Sequence, residues 1–136
     1  MKVVLDTNVL LVSVSSRSPF HRIFQDFINE KYSICVTTDI LMEYEEILSR
    51  ELGTEATEAI LKVIEHGINV EWINKYYAWN LIEYDPDDNK FVDCVIASNS
   101  TYLVTDDHHF NVLRKIDFPH IEVISAKEFL LLLDTF

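Results

Sequence analysis

The chain has 136 residues, a length that suits one domain, and we expect residues 1–136 to form it. Hydrophobic residues make up 49% and charged residues 25%, as in an ordinary globular domain, and no apolar run reaches the roughly 18 residues of a membrane span. The net charge of −12 excludes a chain that is basic overall, which is the usual signature of a nucleic-acid binder.

The first third of the chain predicts two strands separated by helices. Val3–Leu5 is a short apolar run that predicts a buried strand, and the apolar residues of Val9–Val14 predict a short helix. Ser18–Pro19 opens a helix of about ten residues, because proline is favoured in the first helical turn. Ser33–Thr37 is expected to form the second strand.

The middle of the chain predicts two helices and at least one short strand. We expect Thr38 to cap a helix over Asp39–Leu52 with its hydroxyl group. A further helix is expected over about Glu55–Glu65. The stretch Ile68–Tyr84 is rich in aromatic and β-branched residues, which favours a short strand within it.

The last third adds two strands and three helices. They are predicted at Asn89–Asn99, Tyr102–Thr105, Asp107–Lys115, Ile121–Ile124 and after Ser125. Asp85–Asp88 is a turn, and Asp88 is expected to cap the helix that follows it. Ser125 and Glu128 have the spacing of a capping box. Because strands and helices alternate, we predict a three-layer α/β/α sandwich around a mostly parallel central sheet.

Ligand sites in such sheets lie at the carboxyl ends of the strands, where this chain places several acids. Asp6 follows the first strand, and Asp106 and Asp107 follow the fourth. Three more acids lie on helices near the same edge: Glu43, Asp88 and Asp93. Each acid alone has an ordinary role as a cap, a turn residue or a surface side chain.

Carboxylates gathered at one edge would repel one another unless a positive charge compensates them. Lys90 is the nearest cation by sequence, and no lysine or arginine lies within the motifs of Asp6, Glu43 or Asp107. A hard divalent cation is the economical counter-charge, because Mg²⁺ and Mn²⁺ prefer carboxylate oxygen and water as ligands.

Several stretches of the sequence carry a family resemblance that covers essentially the whole chain. They are Val3–Leu10, Ser13, Ser18–Pro19, Asp85–Phe91, Tyr102–Asp107 and Ile124–Leu130. Together they resemble the PIN domains, and among these the bacterial subgroup described as toxin components of type II toxin–antitoxin systems.

The resemblance implies a PIN-like fold, a Mg²⁺ or Mn²⁺ site, single-stranded RNA as substrate and a cognate antitoxin protein as partner. It assigns the metal to four acids: Asp6, Glu43, Asp88 and Asp107. Asn8 and Thr105 match residues that help to hold the site through hydrogen bonds. The expected activity is endonucleolytic hydrolysis by metal-activated water, which leaves 5′-phosphate and 3′-hydroxyl ends. A homodimer is compatible with the sequence.

Two departures from the family pattern leave ligand choices open. Asp106 stands where the family usually has glycine, so either Asp106 or Asp107 could be the ligand after this strand. Asp93 falls where relatives often carry glutamate, and it is an alternative to Asp88. A histidine ligand after the acidic motif is conceivable at His108 or His109, although a hard-ion site needs no imidazole.

Three other functions fit parts of the pattern. A haloacid-dehalogenase-type phosphatase also begins with a strand and an aspartate, but Asn8 takes the place of its general acid. A non-catalytic receiver-like module needs a second acid beside Asp6 and a lysine after the last strand, where Lys127 comes late. A PIN fold could also act as a scaffold or antitoxin-bound partner rather than as an enzyme.

Other features bear on binding and location. Five basic residues could line a cleft despite the net charge: Arg17, Arg22, Lys90, Arg114 and Lys115. Three aromatic residues could stack nucleobases, although packing in the core or an oligomer interface is their commoner role: Tyr76, Tyr77 and Trp79. The sequence shows no secretory signal, so we expect a cytoplasmic protein with Cys35 and Cys94 buried and reduced.

Overall fold

A five-stranded parallel sheet lies at the centre of the computed structural model, which describes residues 1–74, 77–83 and 85–136. Its strands are β1 (Lys2–Leu5), β2 (Ser33–Val36), β3 (Val70–Trp72), β4 (Tyr102–Val104) and β5 (Val123–Ile124). The helices are α1 (Thr7–Ser13), α2 (His21–Ile28), α3 (Thr38–Leu52), α4 (Thr54–His66), α5 (Asn89–Ser98) and α6 (Ala126–Leu133). Two 3₁₀ helices cover Pro86–Asp88 and His108–Lys115.

The strand order determines where a ligand can bind. The order is β3-β2-β1-β4-β5, and every pair is parallel. The chain therefore builds outward from β1 in one direction and then resumes on its other side with β4. The crevice beyond the carboxyl ends of β1 and β4 is the topological switch point, where α/β sheets bind ligands. The predicted sandwich around a mostly parallel sheet is confirmed.

Strands β1, β2 and β4 are largely apolar because helices cover the sheet, whereas the edge strand β3 includes the exposed Glu71. Val3, Val4 and Leu5 of β1 are almost fully buried, as expected for a strand that is enclosed on both faces. Helix α5 packs on β1, β2 and β4 and buries Phe91 and Val92, whereas its Ala97 is exposed. Among the described helices, none combines the length and apolar character that a membrane span requires.

Most predicted elements form within a few residues of their expected bounds, and three local predictions are wrong in detail. The helix predicted from Ser18–Pro19 begins only at His21, because the Ser18 hydroxyl accepts a hydrogen bond from the Phe20 amide in a preceding turn. Thr37, not Thr38, caps α3, since its extended backbone lets Oγ1 accept from the Ile40 amide at 3.2 Å.

The third correction concerns the start of α5. Asp88 occupies the N-cap position of this helix, but its carboxylate makes no capping hydrogen bond. Asp85 caps the preceding 3₁₀ turn instead, by accepting from the Asp87 amide at 3.2 Å. The Asp88 carboxylate is thereby left to face other acids.

Other local predictions are confirmed. The Ser125–Glu128 capping box forms at the start of α6. The short strand expected within Ile68–Tyr84 is β3, although Tyr84 itself lies outside the described residues. Cys35 and Cys94 are both buried free thiols.

Candidate active site

Asp6 lies at the switch point and is tied to the neighbouring strand. Its amide donates to the Val104 carbonyl at 3.0 Å, which places the residues that follow β1 and β4 side by side. Thr105 Oγ1 donates to Asp6 Oδ2 at 2.7 Å, and the Asp107 amide donates to the same Thr105 hydroxyl at 3.0 Å. Thr105 thus links the acid after β1 to the acid after β4.

Asp6 is in an environment that disfavours its charge. The residue is only 6% exposed. Burial raises the pKa of Asp6 to about 6, and the nearby charges of Glu43 and Asp107 add to this rise, against the hydrogen bonds from Thr105 and Thr7. Asp6 would therefore be strongly stabilised in its charged form by a bound cation.

Glu43 reaches the same site from α3, one turn into the helix. The Thr7 hydroxyl donates to Glu43 Oε2, and Lys90 Nζ lies 3.0 Å from Glu43 Oε1. Lys90 also lies 3.1 Å from Asp87 Oδ1. The nearest cation by sequence is therefore also the cation that contacts Glu43, whereas the role of Thr7 was not predicted.

Asp88 completes the group of acids from the start of α5. Burial raises the pKa of Asp88 to about 7, with further contributions from the charges of Asp85, Asp107, Asp6 and Glu43. Its Oδ2 atom is buried and accepts no hydrogen bond from any described residue. A buried carboxylate oxygen without a donor is the kind of atom that a metal ion would satisfy.

Asp107 and His109 lie together on the side of β4. Asp107 Oδ1 caps the 108–115 helix by accepting from the His109 amide at 2.9 Å. His109 Nδ1 lies 3.4 Å from Asp107 Oδ1 and 3.9 Å from Asp88 Oδ2. One ligand atom each from Asp85, Asp88 and His109 lie within 4.8 Å of one another, a spacing that suits a metal ion.

Asp85 is a candidate ligand that the sequence did not reveal. The motif around it predicts only a turn, and its place in the site comes from the 3₁₀ turn at Pro86–Asp88, which brings residues three apart to one face. His109 is a weaker candidate than the acids by sequence, because a hard-ion site needs no imidazole, and its contacts with Asp107 and Asp88 come from the fold.

The alternative ligands and Asn8 have other surroundings. Asp106 is exposed, and its Oδ1 accepts from the Ala126 amide at 3.0 Å. Asp93 is buried and accepts from the Trp79 amide at 3.1 Å. The Asn8 side chain is exposed and makes no hydrogen bond with a described residue. This geometry favours Asp107 over Asp106 and Asp88 over Asp93.

The arrangement suits a divalent cation. Its donors are mainly carboxylate oxygens, the ligands of Mg²⁺ and Mn²⁺, and Lys90 alone balances only part of their charge. Mn²⁺ also accepts an imidazole such as that of His109 more readily than Mg²⁺ does.

A family model for the PIN domain matches residues 2–109. Among solved structures, a chain of VapBC2 from Rickettsia felis, determined with a DNA fragment from their promoter, matches with 17% identity and a TM-score of 0.64, over 92% of this chain and 98% of that chain. VapBC-1 from nontypeable Haemophilus influenzae matches with 13% identity and a TM-score of 0.61, over 93% and 99%.

A third solved structure is Mycobacterium tuberculosis VapC20, a toxin that cleaves the sarcin–ricin loop. It matches with 15% identity and a TM-score of 0.59, over 80% of this chain and 92% of that chain. Identities this low establish a common fold and no more. No curated protein matches the chain.

Proposed function

The chain belongs to the PIN domain family, and from that premise we propose that residues 1–136 act as one metal-dependent endoribonuclease domain that cleaves single-stranded RNA. The observation that carries the proposal is the convergence of Asp6, Glu43, Asp88 and Asp107 on one crevice. Two of these acids have pKa values raised by burial and by the charges of the others. Carboxyl groups whose pKa values are shifted by burial and by charged neighbours in a cleft are typical of functional sites, which supports a catalytic metal site.

The metal would be held by Asp6, Glu43, Asp88 and Asp107. Asp85 and His109 each bring a ligand atom within 4.8 Å of one on Asp88. When bound, Mg²⁺ or Mn²⁺ supplies Lewis acidity that activates water and stabilises the leaving oxygen of a phosphodiester. Thr105 holds Asp6 and the backbone of Asp107 in fixed positions, and Thr7 does the same for Glu43.

The test is cleavage of a single-stranded RNA with Mn²⁺ or Mg²⁺, together with Mn²⁺ binding measured by electron paramagnetic resonance. Asp6→Asn and Glu43→Gln should abolish cleavage and weaken Mn²⁺ binding. Thr105→Val should cost about 10–100-fold in activity, as is typical when a residue that orients a metal ligand is lost. Glu58→Gln, an exposed change on α4, is the matched control for Glu43→Gln.

Product ends separate this chemistry from a ribonuclease that uses the 2′-hydroxyl as nucleophile. We expect 5′-phosphate and 3′-hydroxyl ends. Products ending in a 2′,3′-cyclic phosphate would rule the proposal out, even if cleavage required all four acids.

Paired substitutions test the choice of ligands. Asp107→Asn should abolish cleavage and Asp106→Asn should retain it, because Asp106 binds the Ala126 amide. Asp88→Asn should weaken Mn²⁺ binding more than Asp93→Asn, whose carboxylate accepts from the Trp79 amide. The reverse order in either pair would move the ligand to the other residue.

We also propose that the chain is a toxin component with an antitoxin partner in the cytoplasm. The supporting observation is that the similar solved structures include VapBC2 and VapBC-1. Co-expression with the product of a small neighbouring gene should yield a complex in which RNA cleavage is inhibited. Sedimentation of the free chain would show whether it is also a homodimer.

The phosphatase and receiver-like alternatives have less support. A phosphatase of that type needs an acid two residues after Asp6, and this chain has Asn8 there instead. Turnover of a generic phosphate ester, or labelling by acetyl phosphate, would favour one of them over the nuclease.

A further inference from the structure

The two sides of the candidate site differ in charge. On the β2 side, a groove of about 710 Å³ runs along α3, and its charged lining residues, within the described ranges, are five carboxylates and one lysine. They are Asp39, Glu43, Glu45, Glu46, Asp87 and Lys90. We call this side the acidic flank. A polyanion that entered along it would meet net negative charge, because one lysine balances only part of the charge of five carboxylates.

The opposite side is built on the 108–115 helix, which follows β4 and packs on β5. Its described lining includes His108, His109, Asn111 and Lys115, and Glu83 is the one carboxylate among the lining residues. Lys115 is exposed and makes no ion pair with a described residue, so its charge is available to a ligand. We call this side the 108–115 flank.

Three aromatic rings form an exposed cluster next to the 108–115 flank. The ring centroids of Tyr77 and Trp79 are 4.8 Å apart, and those of Trp79 and Phe118 are 6.3 Å apart. Tyr77 is 65% exposed and Phe118 is 83% exposed. Side chains this apolar are rarely left in solvent as a group unless the surface binds something. Tyr76, the other aromatic residue predicted to stack bases, lies outside the described residues.

The cluster is held in place and connected to the acids. The Asp93 carboxylate accepts a hydrogen bond from the backbone amide of Trp79. The side chain of Asn89 makes two hydrogen bonds of 2.9 Å with the backbone of Ile82: Nδ2 donates to the carbonyl, and Oδ1 accepts from the amide. A second groove of about 710 Å³ runs between residues 80–83 and the 108–115 helix. His109 lines this groove and also lies 3.4 Å from Asp107.

We infer that single-stranded RNA leaves the metal site over the 108–115 flank and stacks its bases on Tyr77, Trp79 and Phe118. This inference rests on the proposed nuclease function and adds the direction of the strand and the residues that hold it. Lys115 contacts a backbone phosphate, and the acidic flank keeps the strand from binding in the opposite direction. Aromatic stacking is indifferent to sequence, so the surface would hold any unpaired strand.

Continuity with the candidate site favours RNA over a protein as the occupant. Lys115 and two exposed carboxylates, Glu83 and Asp117, lie near the cluster, and the groove beside it reaches His109, which lies 3.4 Å from Asp107. An apolar surface that binds a second copy of the chain would need no such connection to the site. Self-association is the other explanation of the exposed cluster, and the test below distinguishes the two.

The test measures binding in the non-cleaving Asp6→Asn background with Mg²⁺, using a fluorescein-labelled oligoadenylate of about ten nucleotides. Phe118→Ala should weaken binding about five- to tenfold, whereas Phe136→Ala, also an exposed phenylalanine, should not. Lys115→Ala should lower the slope of log K against log salt by about 0.7, and Lys127→Ala should leave it unchanged.

The two tryptophans of the chain allow a second, local measurement. Trp79 belongs to the cluster, whereas Trp72 is half-exposed at the end of β3, on the other side of the sheet. The oligonucleotide should quench the emission of a Trp72→Phe protein, which retains Trp79. It should leave the emission of a Trp79→Phe protein unchanged.

The outcomes separate this inference from the proposed function. Equal affinities of the Phe118→Ala and Phe136→Ala proteins would overturn the strand direction while RNA cleavage by the unmodified chain still stood. A change in sedimentation mass on Phe118→Ala, with RNA affinity unaltered, would assign the cluster to self-association and also overturn it. If the proposed nuclease function is wrong, the unmodified chain will cleave no RNA.

Discussion

The buried carboxylate of Asp6 makes the metal-free fold less stable when it is charged, and the same charge would bind a cation. Its carboxylate is buried, yet its only described side-chain donor is Thr105. The folded pKa of about 6 lies above the ordinary value of 3.8, so the folded state binds more protons than the unfolded state between about pH 4 and pH 6. The contribution of Asp6 to the free energy of unfolding therefore falls as pH rises through this window and levels off above it.

The first prediction follows for the metal-free protein. Asp6→Asn should raise the free energy of unfolding at pH 8 by about 1–3 kcal/mol and change it little at pH 4, because the amide carries no charge to desolvate. Urea denaturation of both proteins at the two pH values measures this. A variant that is less stable at pH 8 would show that the Asp6 charge is compensated in a way that its surroundings do not reveal.

Lys90 stabilises the metal-free site, whereas the charge of Asp6 destabilises it. Its ammonium group supplies positive charge that a bound metal would also supply. Its Nζ atom contacts Glu43 Oε1 and Asp87 Oδ1, and its side chain is mostly buried. Lys90→Met should lower the metal-free free energy of unfolding by about 1–3 kcal/mol, since Glu43 loses a charged partner. The same change should tighten Mn²⁺ binding, because Nζ no longer competes for Oε1.

Calorimetric titration with Mn²⁺ and urea denaturation together test this second prediction, with Lys127→Met as an exposed control on α6. Weaker Mn²⁺ binding in Lys90→Met would mean that the lysine positions Glu43 for the metal rather than competing with it.

At the scale of elements, the sequence predicted correctly those features that depend only on neighbouring residues. The apolar runs of β1 and β2 and the Ser125–Glu128 box need only neighbouring residues, and all three form as expected. The cap of α3 was misplaced by one residue because Thr37 and Thr38 are chemically equivalent. Which of them is extended depends on where β2 ends, and tertiary pairing determines that.

The segment between β3 and α5 shows where local patterns give no information. Residues 77–83 form no helix or strand, and side chains of α5 hold them instead. Asn89 alone bonds both backbone groups of Ile82 and the Pro86 carbonyl. A buried amide with three partners is invisible in a hydrophobic pattern, because its role depends on the path of the loop it anchors.

The third prediction concerns this anchor. Asn89→Ala should lower the free energy of unfolding by about 1–3 kcal/mol, since two buried backbone groups of Ile82 lose their partner. Hydrogen exchange of the Ile82 amide should accelerate more than that of β1 amides. Asn111→Ala, at an exposed position, is the control and should alter neither quantity. Unchanged protection of Ile82 would mean that other contacts hold the loop.

At the scale of the whole molecule, the alternation of elements predicted a parallel sheet but not its strand order. The site depends on that order, because Asp6 and Thr105 are 99 residues apart and meet only where β1 lies beside β4. The contact between Lys90 and Glu43 spans 47 residues and was equally beyond local reasoning. The different surroundings of Asp88 and Asp93 likewise depend on the orientation of α5 on the sheet, which no motif encodes.

The net charge of −12 destabilises the metal-free fold in two ways, through repulsion across the whole surface and through repulsion among the acids of the site. Salt and Mn²⁺ distinguish the two. Self-repulsion across the surface is screened by any salt, so raising NaCl from about 0.02 M to 0.5 M should raise the melting temperature of the metal-free protein. The acids of the site respond to a bound ion instead, and Mn²⁺ at about a hundred times its dissociation constant should add about 2.7 kcal/mol. Asp6→Asn should keep the NaCl effect and lose most of the Mn²⁺ effect in a thermal melt. If the variant responds to Mn²⁺ as strongly as the unmodified chain does, the stabilising ion binds elsewhere on the acidic surface, and the convergence of the four acids is not its site.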